Sequence, residues 1–440
     1  MSVRSRSRCK SLIFTALCFF VCRWFEISWG QIEQSAGQTG TKPFTATVAL
    51  REGFDSNPLT ASSQSGQKIQ TSSYTSVLPS LGYNYTGLRA DMALRYDFSA
   101  TYYPNINFAT DVFYAQTIIG RYTYQFDPRT SVTLADSFAY TEQPLLGQFV
   151  QAGIAPVLYS SAINNLATVE GDYRVTDRLS MVTRWNNSLV ALGGNASSGN
   201  YMNNGAFQQF RLDFTPETVG TFTMDYQLYD YDFDYAFRDN QQASFSFGAD
   251  HTFLPTLFLS GRAGLQLNDN FGLADNPEII GPYGLGSGQI NIQATPFVSL
   301  SSTWSYEQKS FASAGFSMQV QQSDLANVSD SVAYTISLNW DHYFTDKLSL
   351  IQSFFINLAT FSPNLTPEQT DNLYAGSTYQ GNGRQIALTY QCKLAYEIYP
   401  YLSAELGWAF NSYNSKFDVN PSPGSNYTRN QVYLGLRGTY

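Results

Sequence analysis

Charge is scarce in this sequence. Asp, Glu, Lys and Arg make up 13% of its 440 residues, about half the share of an ordinary water-soluble domain, so a conventional solvated surface is excluded. Long apolar runs are also missing. The one candidate, residues 11–22, is too short to cross a bilayer as a helix, and the mean hydropathy of −0.22 excludes a bundle of apolar helices. There are four cysteines, and three of them (Cys9, Cys18 and Cys22) crowd the amino terminus. Cys392 alone remains, so an exported chain has no partner for an intrachain disulfide. Only two histidines occur, His251 and His342. No GxSxG elbow, HExxH helix or spaced Cys/His set is present, so the usual hydrolase and metalloenzyme constellations are absent and no enzyme is expected. The net charge of −9 argues against a nucleic-acid partner.

Aromatic residues are abundant at 16%, with 31 Tyr and 32 Phe. They lie in segments of strict alternation. Val332, Tyr334, Ile336, Leu338 and Trp340 share one parity, and Ala333, Thr335, Ser337, Asn339 and Asp341 the other. Leu402, Ala404, Leu406, Trp408 and Phe410 likewise oppose Ser403, Glu405, Gly407, Ala409 and Asn411. Period two marks strands with one apolar and one polar face. A soluble sandwich also alternates, but its outer face favours Lys and Glu. Here few charges and a balanced mean hydropathy instead fit strands with lipid on one side and a wet lumen on the other. Cys392 has the apolar parity of Leu388, Tyr390 and Leu394, and reads as a small lipid-facing residue. The chain ends Gln431-Val-Tyr-Leu-Gly-Leu-Arg-Gly-Thr-Tyr440, with Val432, Leu434, Leu436 and the final Tyr440 in one register. This ending resembles the C-terminal insertion signal of bacterial outer-membrane β-barrels.

The amino terminus reads as a secretory signal over residues 1–30. Arg4, Arg6, Arg8 and Lys10 precede the short apolar stretch, and small residues flank Trp29 before Gln31. Its removal takes five basic residues and one acidic one, leaving a net charge of −13. Residues 31–43 form a short polar linker, too brief for a plug or periplasmic module ahead of a barrel over residues 44–440. Short turns recur at Tyr85–Leu88, Phe126–Arg129, Thr176–Leu179, Thr215–Thr218, Leu254–Leu257, Thr295–Phe297, Thr345–Leu348 and Tyr399–Leu402. Between them lie longer segments near 54–72, 102–110, 141–163, 191–205, 232–241, 268–288, 308–330, 360–383 and 413–428. This rhythm predicts a transmembrane antiparallel β-barrel of about 18 strands, within a range of roughly 16 to 20. Short turns would face the periplasm and long loops the outside. Residues 311–320, inside the segment at 308–330, could hide further strand.

Parity places Arg89, Asp91, Arg95, Asp97, Arg121, Glu170, Asp172, Arg174, Arg211, Asp213, Arg262, Glu405 and Arg437 toward the lumen as pore-lining residues. Arg184, Asp225, Asp250, Asp341, Lys393 and Glu397 join them. Mixed signs along a wet lumen suit a weakly selective pore. By length and position, the 141–163 loop is the best candidate to fold in and narrow it. His251 and His342 carry apolar parity near short turns and fit an interfacial aromatic belt. Asp230, Asp232 and Asp234 could hold Ca²⁺ on an outer loop through hard carboxylate ligands, or simply solvate a strand extension. Asp230 shares the parity of lipid-facing Met224 and Leu228, which implies a bulge or a strand that has left the membrane.

The first strand and its loop read Val48-Ala-Leu-Arg-Glu-Gly-Phe-Asp-Ser-Asn-Pro58. Phe54-Asp55-Ser56-Asn57 resembles the N-terminal signature of the β-barrel porin 2 family, which includes outer-membrane proteins of exopolysaccharide operons. Its elementary physical reading is an Asx turn closing a strand. Strand number, the short linker and mixed lumen charge lead to the expectation of a porin-like outer-membrane channel for small hydrophilic solutes. The resemblance implies an alternative, an accessory component of exopolysaccharide secretion. A surface structural or adhesion barrel is a third reading. The expected partners are outer-membrane lipid and lipopolysaccharide, the barrel-assembly machinery and a homo-oligomer.

Overall fold

The computed structural model describes residues 43–61, 69–106, 110–142, 161–193, 200–231, 239–269, 292–322, 330–361, 383–417 and 426–440. The expected signal, nearly all of the linker and residues 143–160 of the expected constriction loop lie outside them. Eighteen strands run in chain order: β1 (Phe44–Asp55), β2 (Ser72–Thr86), β3 (Ala90–Tyr102), β4 (Val112–Asp127), β5 (Thr130–Thr141), β6 (Ala162–Arg174), β7 (Leu179–Leu192), β8 (Tyr201–Thr215) and β9 (Thr218–Tyr231). They continue as β10 (Asn240–Leu254), β11 (Leu257–Asp269), β12 (Ile292–Ser305), β13 (Phe311–Gln322), β14 (Asp330–Tyr343), β15 (Leu348–Phe361), β16 (Gly383–Tyr399), β17 (Leu402–Phe417) and β18 (Tyr427–Thr439). Each pairs antiparallel with its sequence neighbours, and β1 pairs with β18 from Thr47↔Thr439 to Asp55↔Gln431, so the sheet closes into a barrel. Reciprocal backbone bonds between Ala46 and Tyr440 fasten the closure at the short-turn end. Closure removes every sheet edge, the only way a sheet can sit in hydrocarbon without stranded N–H and C=O groups.

The outward face is apolar. Val48, Leu50, Leu81, Leu94, Phe247, Leu265, Leu300, Leu338, Leu406, Leu434 and Leu436 are all exposed. An aromatic belt rings the short-turn end, with Phe44 against Tyr83, Tyr124 against Phe126, and Tyr399 against Tyr401. His342 stacks between Trp340 and Tyr306 in this belt, and its Nδ1 lies 2.9 Å from the Tyr306 hydroxyl. His251 packs edge-on against Phe253, and its Nδ1 is 2.8 Å from Thr218 Oγ1. Both histidines are therefore interfacial residues with local partners.

The turn pattern holds with one correction. Thr295-Pro296-Phe297 is not a turn, because it lies inside β12. The turn is Tyr306–Ser310, and the segment expected as a loop at 308–330 contains all of β13. The strand total survives because the two errors offset. Pro296 misled because proline usually marks a turn. Here it occupies a position where the ladder to the next strand has stopped: β12 pairs with β13 only from Val298↔Met318 to Ser305↔Phe311. A proline cannot donate to that ladder. The gap is patched by Gln266 of β11, whose side-chain amide accepts from Val320 N at 2.9 Å and donates to Val320 O at 3.3 Å.

Candidate functional site in the barrel lumen

The lumen wall is built from the residues opposite in parity to the exposed apolar ones. Asp91, Arg95, Asp97, Arg121, Glu170, Asp172, Arg174, Arg211, Asp213, Arg262, Glu405 and Arg437 all stand on this inner register. Arg89 does not; it lies in the turn between β2 and β3. Asp230 keeps outward parity, opposite Met202 in a regular ladder, so no bulge intervenes and the strand has reached its outer end. Asp232 and Asp234 lie outside the described residues. Val432, Leu434, Leu436 and Tyr440 face outward and are exposed.

The wall is uneven. The charged residues cluster on β3–β11 and on β16–β18 with the adjoining β1, and buried Asp341 of β14 stands apart from both groups. Between them, β12–β15 present Ser299, Ser301, Thr303, Ser313, Ser317, Thr335, Ser337, Asn339, Ser353 and Asn357. One sector thus offers hydroxyls and amides, and the rest offers fixed charge of both signs. Arg262 pairs with Asp250 at 3.1 Å, Arg95 with Asp97 at 2.9 Å, and the Arg184 guanidinium lies 5.3 Å from the Phe207 ring centre.

Two ionic clusters bridge the seam where the chain ends meet. In the first, Arg51 of β1 faces Gly435 of β18, which faces Glu405 of β17. A β-carbon at Gly435 would stand 2.9 Å from Arg51 Cγ. The missing side chain lets Arg51 pass over β18 and place Nη2 3.1 Å from Glu405 Oε2. Arg437 approaches the other carboxylate oxygen at 2.7 Å. The Arg51 guanidinium also lies 4.6 Å from the centre of the Tyr433 ring, a cation–π distance.

The second cluster lies nearer the outer mouth. Asp55 and Arg429 are fully buried and form a fork, Nη2 to Oδ2 at 2.7 Å and Nε to Oδ2 at 2.9 Å. Gln431 Nε2 at 2.9 Å and the Tyr103 hydroxyl at 3.1 Å also donate to the carboxylate. A buried charge pair is tolerable only when its remaining donors and acceptors are met in this way. The backbone N–H of Asn57 donates to Asp55 Oδ1 at 3.0 Å, the expected Asx turn. Asn57 then acts as a backbone substitute, accepting from Ala61 N at 2.8 Å and donating to the Ala61 and Thr428 carbonyls. Ser56 exchanges bonds with Asn430 through its N–H and its hydroxyl. Each polar residue of the Asp55-Ser56-Asn57 signature therefore ties the first outer loop to β18. Thr60 takes a left-handed backbone, φ 50°, to close the turn.

Packed beside the fork, Tyr74, Tyr103, Ile106 and Phe113 form a buried cluster with Leu59 and Tyr433 against it. Tyr74, Phe113 and Tyr433 come from the inner face of the wall, so the segments at 57–61 and 103–106 fold inward over the lumen side of the seam. Parity reasoning passed over Arg51, Asp55 and Arg429. The inner register Thr47, Ala49, Arg51, Gly53, Asp55 was readable, but the partner of Asp55 is 374 positions away.

A closed antiparallel barrel with an apolar outer face, an aromatic belt and a polar interior is an outer-membrane β-barrel protein. No protein-family model matches the chain, and no curated protein matches it. Among solved structures, it is similar to the FrpB iron transporter from Neisseria meningitidis in its apoprotein form, at 10% identity over 92% of this chain and 82% of that one, TM-score 0.46. The siderophore receptor PirA from Pseudomonas aeruginosa gives 10% identity, 92% and 81% coverage and TM-score 0.41. The outer membrane protein opdK from Pseudomonas aeruginosa gives 10% identity, 90% and 99% coverage and TM-score 0.44. Identities this low carry no activity across.

Proposed function

We propose that the chain is a passive diffusion channel for small hydrophilic solutes, narrowed at one side of its outer mouth by the inward-folded segments at 57–61 and 103–106. The observation that supports this reading most is the inner wall: fixed charges of both signs in nearly equal number, beside a sector of hydroxyls and amides. Such a wall favours neither cations nor anions strongly and can replace the hydration of neutral polar solutes. A barrel of about 18 strands is wider than side chains alone fill. Single-channel recording of the refolded chain in a planar bilayer tests the proposal. A steady ohmic conductance with weak ion selectivity, abolished by unfolding, is the expected result. A folded, heat-modifiable barrel that never conducts would remove the diffusion reading and favour the accessory role in polysaccharide secretion.

A further inference from the structure

The outward face is uniformly apolar along most strands. On β14 it reads Val332, Tyr334, Ile336, Leu338, Trp340 without a break, and on β17 Leu402, Ala404, Leu406, Trp408, Phe410. Single polar residues interrupt it elsewhere, Glu52 on β1, Gln116 on β4 and Gln352 on β15, but strands β5 to β8 carry theirs side by side. On β5, Asp136 stands between Leu134 and Phe138. On β6, Asn165 lies between Ile163 and Ala167. On β7, Asn187 lies between Trp185 and Leu189, and on β8 Asn204 lies between Met202 and Ala206. Register joins them into one stripe, Gly120–Asp136–Ala167–Asn187–Asn204.

These side chains are partly paired with one another. Asn165 Nδ2 donates to Asp136 Oδ1 at 3.0 Å, and Asn187 Nδ2 donates to Asn204 Oδ1 at 3.0 Å. Beside them Thr183 donates to Gln208 Oε1 at 3.2 Å, and Gln208 Nε2 is buried with no partner among the described residues. Bonds remain to be made on both sides: the Asn204 amide nitrogen as donor, and Asp136 Oδ2, Asn165 Oδ1 and Asn187 Oδ1 as acceptors. Acyl chains supply neither, and a carboxylate facing hydrocarbon is unfavourable. The outward residues of β4–β8 include no Lys or Arg that could neutralise Asp136.

We propose that the outward face of β5–β8 is the contact surface for a second copy of this chain. A face with unmet donors and unmet acceptors together is self-complementary. Two copies related by a two-fold axis bring the amide donors of one against the carboxylate and amide oxygens of the other. The small residues Gly120, Ala167 and Ala206 let the two walls approach closely. The proposal is independent of whether the lumen conducts.

Two measurements test it. In outer membranes carrying the full chain with Cys392→Ser, single cysteines at Asn187→Cys or Asn204→Cys are treated with a short bifunctional maleimide. A product of twice the chain mass is expected at both positions, and none for Ile336→Cys on β14, on the far side of the barrel. Absence of that product at both positions, an equal yield from Ile336→Cys, or cross-links only to a different protein overturns the proposal. Second, Asn187→Leu with Asn204→Leu gives a face that lipid covers well, so the barrel keeps its heat-modifiable fold. Sedimentation equilibrium in detergent is expected to show association weakened roughly tenfold or more. Undiminished association of this variant, or a wild-type chain that is monomeric throughout, overturns the proposal as well. Neither result bears on conductance, so this proposal and the channel reading fail separately.

Discussion

The Asp55–Arg429 fork is costly to disturb, because both of its charges are fully buried. Arg429→Ala leaves a fully buried carboxylate with only the Gln431 amide, the Tyr103 hydroxyl and one backbone N–H. The expected loss is about 3–5 kcal/mol, because an uncompensated charge remains inside. Asp55→Ala with Arg429→Ala should cost clearly less than the two single changes summed, and urea unfolding in detergent reads both. Gly435→Val probes the other cluster. A side chain there meets Arg51 Cγ and Leu50 O at 2.9 Å each, so Arg51 must leave Glu405. A loss of about 1–3 kcal/mol is expected, with the same unfolding experiment as the check. At this scale the sequence was half legible. The Asp55-Ser56-Asn57 motif stood out, and its Asx turn follows from residue type alone. Its grip on β18 did not, because nothing local in a sequence names a partner on the last strand.

Among the elements, the junction of β12 and β13 is the exception to regular pairing. Its outer half lacks a backbone ladder, and a single side chain from β11 replaces it. Gln266→Leu should therefore leave the Val320 N–H and C=O unmet at a cost of about 1–3 kcal/mol. Amide hydrogen exchange should quicken over residues 318–322 while β14–β16 stay protected, and uniform protection across β13 would refute the patch. Element identity was otherwise well written in the sequence. Period-two alternation set inner and outer faces, and Pro or Asp with small residues marked the turns. The misreading at Thr295–Phe297 has a physical cause. The true turn, Tyr306–Ser310, contains neither proline nor glycine, whereas Pro296 is housed where no N–H is required. Asp136 was equally visible as a carboxylate of apolar parity on β5, yet only neighbouring strands reveal that Asn165, Asn187 and Asn204 continue its row.

For the whole molecule, alternation, few charges, many aromatics and the final ten residues together pointed to a barrel, since each reports the same two-solvent environment. Its lumen chemistry yields a prediction at the same scale. Because inward charges of both signs nearly balance, one reversal should tilt selectivity without creating strict exclusion. Arg121→Glu is expected to move the zero-current potential under a salt gradient toward cation preference by a modest amount. An unchanged potential in a conducting variant would mean that ions do not pass this part of the wall.

The seam also carries a consequence for biosynthesis. Residues 51 and 55 are made several hundred residues before their counter-charges at 405, 429 and 437. A chain interrupted before β17 carries Arg51 and Asp55 with nothing to neutralise them, and it cannot complete the wall. Full-length translation is thereby written into the electrostatics of closure, so a prematurely terminated product should be left open, conspicuous and easily degraded.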